Sequence, residues 1–265
     1  MGAGMKNGSP GSWAKRVVFA VCFGLAASLA ASVDMARAAE TAPVRIAFIG
    51  DSMGDGLWGA FFRRLGKDKC LAERVKLIRK TKNGAGLARR DLIDWPTEVA
   101  AMTKDGVDLF IGSFGINDRQ GIVDESKARI EYGTPEFDVQ YQAIAEAVLR
   151  AATAGGASIM LLGLPVMLDP AVDADAKDKN RMFADAVAKV ASPLATYAKP
   201  WSSRPGDDEY KPYLPNANNQ VIQFRAADGI HFTQHGYDSV MDYFYPQVLD
   251  SLKARGHDIS GDCPK

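Results

Sequence analysis

The chain has 265 residues, enough for one α/β domain with a sizeable core, and its 32 basic side chains are balanced by 32 acidic ones. Nothing in that balance points to nucleic acid, whose binders show a strongly basic face. With 47% hydrophobic residues the chain is also too apolar for a solvated, disordered polymer.

The first segment reads as an export signal. Lys6, Lys15 and Arg16 precede the apolar run VVFAVCFGLAASLAA (17 to 31), and Ala36-Arg37-Ala38 supplies a small-residue cleavage pattern. The run is short for a membrane span of about 20 residues, so cleavage after Ala38 is expected, with no stable membrane anchor left behind. This divides the chain into a signal, 1 to 38, and a domain, 39 to 265, destined for the periplasm. The domain carries 28 basic against 31 acidic residues, a net of −3. It retains Cys70 and Cys263, which an oxidising compartment can pair or leave free; spacing alone does not choose.

Past the signal, β-like runs alternate with helical ones. VRIAFIG (44 to 50), RVKLIRK (74 to 80), VDLFIGSF (107 to 114) and SIMLLGLPV (158 to 166) are apolar, rich in β-branched residues and end near Gly, Pro or polar turns. Helical patterns cover 55 to 67, 96 to 105, 136 to 156 and 180 to 197. A fifth strand is expected in TYAKPWS (196 to 202), followed by a Pro/Gly/Asn-rich excursion, a further β-like run QVIQFR (220 to 225) and a last helix from about Thr233 to Arg255. The order implies a flavodoxin-like three-layer α/β/α domain, with a central parallel sheet of about five strands covered on both faces.

In such sheets, ligands bind at the carboxyl ends of the strands. Gly50-Asp51-Ser52 lies at one of these ends. Glycine permits a sharp turn, and a serine at the following helix start either caps the helix or acts as a nucleophile favoured by the helix N-terminus. A nucleophile needs a base, a group to orient the base, and donors for an oxyanion. Asp228 precedes His231 by three residues, close enough for a carboxylate to meet the imidazole of its own turn. Asn117, in GINDRQ, and Gly86, in KNGAGLARRD, each follow a predicted strand and are candidate oxyanion donors, with Gly84 a rival to Gly86. Arg119 and Gln120 follow Asn117 and are candidates for a polar substrate group. Trp201, in the late excursion with Tyr210 and Tyr213, could stack on a sugar ring. His231 and His235 are four apart, but no HExxH pattern accompanies them, and no metal site is expected.

Taken in order, GDS (50 to 52), Gly86, Gly115-Ile116-Asn117-Asp118 and Asp228-Gly-Ile-His231 resemble the four sequence blocks of the SGNH hydrolase superfamily, the GDSL-like esterases. NGAGLARRDLIDWP, GINDRQ and DGIHFTQHGY further resemble an exported bacterial branch carried as a domain of unknown function. The resemblance implies a serine esterase or O-acyltransferase without a cofactor. In it Ser52 is the nucleophile, His231 the base and Asp228 its orienting acid, while the Ser52 and Gly86 backbone N–H groups and the Asn117 amide form the oxyanion hole. Met53 stands where many members have Leu or Ile. Export makes an O-acylated cell-envelope carbohydrate, or another small ester, the expected substrate. The rivals are a lipid or thioester hydrolase and a non-catalytic glycan-binding module.

Overall fold

The computed structural model describes residues 1–2 and 42–260, except 125, 204–206 and 217. The expected signal segment therefore falls almost wholly outside the described residues, as does Cys263. Cys70 is disulfide-bonded.

Five strands build the central sheet: β1 (Val44–Gly50), β2 (Val75–Thr81), β3 (Leu109–Ser113), β6 (Ser158–Leu162) and β7 (Ala195–Ala198). All pair in parallel in the order β2-β1-β3-β6-β7. Crossovers join the successive strands of the sheet, which run in one direction, so every strand ends at the same side of the sheet.

The twofold alternation of the strands divides the core between the two faces. From β1, Ile46 and Phe48 point to one face, where they meet Leu57 and Phe61 of α1 (Ser52–Lys67) and Val240 and Phe244 of α6 (Gln234–Lys253). Ala47 and Ile49 point to the other, toward Trp95 and Val99 of α3 (Trp95–Lys104), Tyr141 and Val148 of α4 (Pro135–Ala154) and Phe183 of α5 (Pro170–Val190). A short helix, α2 (Lys69–Arg74), leads into β2.

Two small antiparallel hairpins lie outside the sheet. One, β4 (Ile122–Val123) with β5 (Arg129–Ile130), follows β3; the other, β8 (Tyr213–Pro215) with β9 (Val221–Gln223), follows β7. The run at 220 to 225 thus pairs locally with β8 instead of joining the sheet. The helix expected at 180 to 197 begins ten residues earlier. Asp169 caps it through its side chain, accepting from the Ala171 and Val172 N–H groups at 2.8 and 3.0 Å, and Pro170 takes the first turn, where no N–H is needed. It ends at Val190 with Ala191 in the left-handed region (φ 50°), ahead of Pro193, which no helix interior accepts.

Candidate active site

β1 ends against β3 with no room for a side chain. Gly50 has φ +118°, and a Cβ there would lie 1.9 Å from the Ser113 carbonyl oxygen. Only glycine meets both demands. The next residue, Asp51, is fully buried and caps α1, with Oδ1 accepting from Met53 N–H at 2.8 Å. Burial, reinforced by nearby Asp118, pushes the Asp51 carboxyl up to about 7, against the opposing pull of the Met53 N–H. The acid between glycine and serine is thus a cap.

Ser52, the first residue of α1, is half-buried, and its Oγ lies 2.7 Å from His231 Nε2. On the far side of the ring, Nδ1 lies 2.7 Å from Asp228 Oδ2, while Asp228 Oδ1 accepts from the Ile230 and His231 N–H groups, both at 2.9 Å. Partial burial raises the Asp228 pKa, but those two N–H groups and the imidazole outweigh it and hold the carboxyl at about 2. An anion here can only accept, so Nδ1 carries the ring proton and Nε2 is left to accept from the serine hydroxyl. Three side chains separated by up to 179 residues therefore form one continuous hydrogen-bonded chain.

The turn holding Asp228 and His231 is fixed from below by Arg225, which is 1% exposed. Its guanidinium donates to the carbonyls of Val166 (2.8 Å), Ile230 (2.8 Å) and His231 (3.4 Å), and lies 4.8 and 4.5 Å from the Tyr210 and Phe232 ring centres. Leu168 N–H adds a bond to the Gly229 carbonyl at 3.1 Å. Burial pushes the Arg225 pKa down to about 10. Sequence reasoning missed this residue because a lone arginine beside a β-like run looks like a solvated side chain.

On the other flank, Asn117 Nδ2 donates to the Ala85 carbonyl at 2.9 Å, which leaves its second amide hydrogen free to donate elsewhere. The neighbouring Asp118 is fully buried and accepts from Leu87 N–H (2.9 Å), Ala88 N–H (3.0 Å) and the Tyr141 hydroxyl (2.8 Å). It ties the loop after β2 to the loop after β3. Burial raises its pKa despite these donors. A Cβ on Gly86 would fall 1.9 Å from Asp118 Oδ1, whereas Gly84 is exposed with open space around it. Close approach of the two loops thus demands glycine at 86, whereas at 84 it is the left-handed backbone, φ +78°, that favours it.

The remaining expectations divide. Gln120 is turned to its own loop, its Nε2 donating to the Asn117 carbonyl at 2.8 Å. Arg119 is exposed, near Tyr132. Trp201, expected at a sugar-binding surface, is 6% exposed and packs on Phe224 and Phe232 with ring centres 4.7 and 6.4 Å away. Its ring is covered by aromatic core and has no face left for a sugar.

No curated protein matches the chain in sequence. Among solved structures, the fold is similar to an acetylxylan esterase from Geobacillus stearothermophilus, with 17% identity, a TM-score of 0.54, and coverage of 84% of this chain and 100% of the other. It is also similar to a carbohydrate esterase family 3 protein from Talaromyces cellulolyticus (12% identity, TM-score 0.53, coverage 80% and 99%). A third similar structure is LAE5, an alpha/beta hydrolase enzyme from the metagenome of Lake Arreo (18% identity, TM-score 0.52, coverage 82% and 96%). These likenesses bear out the three-layer α/β/α fold with its five-stranded parallel sheet. The family model described as "Protein of unknown function (DUF459)" matches residues 45–247, and the chain belongs to that family.

Proposed function

We propose that the protein is a serine esterase acting on O-acylated carbohydrate through an acyl-enzyme. The observation that supports this most is the Ser52–His231–Asp228 chain, with both links at 2.7 Å. Asp228 holds the Nδ1 proton. His231 Nε2 takes the Ser52 hydroxyl proton as Oγ attacks the ester carbonyl carbon. The resulting oxyanion is received by the Ser52 and Gly86 backbone N–H groups and the free Asn117 amide hydrogen. As the tetrahedral species collapses, the imidazolium passes its proton to the departing alkoxide, leaving the acyl group on Oγ. His231 then deprotonates water, which attacks the acyl carbon, and the returning proton restores the Ser52 hydroxyl. A sugar hydroxyl in place of water turns the same site into an O-acyltransferase.

The substrate class is an analogy from the names of the similar structures, an acetylxylan esterase and a carbohydrate esterase. With 1 to 38 acting as an export signal, the enzyme works in the periplasm on envelope carbohydrate. The test is p-nitrophenyl acetate turnover by the purified protein beside Ser52→Ala. The variant is expected to stay folded and to lose at least about a thousandfold in kcat. Equal turnover by both would remove Ser52 from the chemistry.

A further inference from the structure

Helix α5 places a charged side chain where a core position calls for an apolar one. Lys179 is 1% exposed, and its ammonium is paired with Asp175, one turn earlier on the same helix. Asp175 Oδ1 also accepts from the Tyr132 hydroxyl at 2.7 Å, and the ammonium lies 5.5 and 5.7 Å from the Tyr132 and Tyr141 ring centres. The proton transfers among Ser52, His231 and Asp228 make no use of this group. A buried ion pair is seldom the most stabilising filling for a core, because an apolar side chain of similar volume avoids desolvating two charges. What the pair adds is direction, since a lysine pinned at its head has few paths left for its stem.

That stem crosses the turn that presents Asn117. The turn leaves β3 at Gly115 and is closed by the Asp118 N–H donating to the Gly115 carbonyl at 3.0 Å. A Cβ on Gly115 would stand 2.9 Å from Lys179 Cδ and 3.0 Å from Leu164 Cδ1, so the backbone at 115 touches both the lysine stem and the leucine. Leu164 is in turn held by the next residue of α5, where Asn180 Oδ1 accepts from Leu164 N–H (2.7 Å) and Nδ2 donates to the Leu164 carbonyl (2.8 Å). At the other end of the turn, Tyr141 donates its hydroxyl to Asp118 at 2.8 Å. Both ends of the Gly115–Asp118 turn are therefore fixed from the helices behind it, with Asn117 between them.

Building on the serine-esterase reading, in which Asn117 receives the oxyanion, we propose that Lys179 is a positioning residue for that donor. Pinned by Asp175 and Tyr132, its stem seats the Gly115–Asp118 turn and so aims the Asn117 amide at the reacting oxygen. Such a donor works only when it is already aimed at the place where charge develops. A loosened turn therefore weakens binding of the transition state and leaves binding of the substrate as it was.

The test is the paired substitution Lys179→Met with Asp175→Asn, which keeps the stem's bulk, leaves no orphaned charge and preserves an acceptor for Tyr132. With p-nitrophenyl acetate, kcat is expected to fall at least about tenfold while KM stays within about twofold. In an Asn117→Ala background the same pair is expected to change kcat by less than about twofold, because the donor it aims is gone. An unchanged kcat, a loss carried by KM, or an equal loss without Asn117 overturns the proposal; the last is what a role in stability alone would give. If the pair does not fold, Tyr132→Phe, which removes one pin at an exposed residue, carries the same cycle, with a smaller fall in kcat that again vanishes without Asn117. Failure of the esterase reading shows separately, as no turnover by the wild type. The Asn117 side-chain amide, followed by NMR, then decides: two dispersed proton resonances that collapse toward free-amide positions in the variant support the positioning, and resonances that do not move overturn it.

Discussion

The two flanks of Ser52 are held in opposite ways. The His231 flank is a turn whose carbonyls are gathered by a buried cation, Arg225, while the Asn117 flank is a pair of loops whose N–H groups are gathered by a buried anion, Asp118. Neither charge has an ion-pair partner within 4 Å among the described residues, and burial shifts both toward neutrality, Arg225 downward and Asp118 upward. The difference follows from what each loop leaves unpaired. A turn that spends its N–H groups on Asp228 exposes carbonyls and needs a donor beneath it, whereas loops that offer N–H groups need an acceptor. Buried charge here gathers loop backbone groups, the rigidifying role of a satisfied polar network.

Breaking the cationic clamp gives the larger effect on activity. Arg225→Lys keeps the charge but cannot fork to three carbonyls, and the His231 turn relaxes. We expect kcat to fall about a hundredfold with KM little changed, since small misplacement of a base costs that much. Steady-state kinetics with p-nitrophenyl acetate decide it, and a matching rise in KM would mean that Arg225 shapes substrate binding instead.

Breaking the anionic clamp should show first in stability. Asp118→Asn offers one acceptor oxygen where two now serve Leu87, Ala88 and Tyr141, so one buried N–H is left facing an amide NH₂, at a cost of about 1–3 kcal/mol. Urea midpoints measure this. If the clamps hold separate loops, the kinetic effects of Arg225→Lys and Asp118→Asn add in free energy; strong coupling would merge the two flanks into one unit.

The effect at Asp51, between the clamps, is one of pH. Its folded pKa, about 7, stands above its ordinary 3.8, so between these values the native state holds a proton that the unfolded state releases. Stability contributed by the protonated group is complete below pH 3.8 and is lost as pH rises through about 7. Asp51→Asn preserves the cap and removes this titration, so its stability should change less than the wild type's between pH 4.5 and 7.5. Parallel curves would assign the slope to Asp118.

Much of the scaffold was legible because its signals are local. β1 is an apolar run closed by glycine, three of the four blocks follow strands of the sheet, and the fourth is the turn before the last helix. The misses are residues whose surroundings come from elsewhere in the chain. α5 starts in PAVDADAKDK, too polar for its periodicity to show, yet within it Lys179 is 1% exposed, paired with Asp175 and flanked by the Tyr132 and Tyr141 rings. Arg225 is buried by Val166, Tyr210 and Phe232, partners that no short window contains. Trp201 erred the other way, an aromatic in a loop region that the fold drew into the core.

The central claim is that Ser52 is a nucleophile activated by His231, and covalent labelling tests it most directly. The purified protein is treated with a fluorophosphonate at neutral pH and mapped by peptide mass spectrometry. A single adduct on Ser52, formed at least about a hundredfold more slowly in a folded His231→Ala variant, is the predicted result. A folded wild-type protein that stays unlabelled at Ser52, or labels there equally fast without His231, would contradict it.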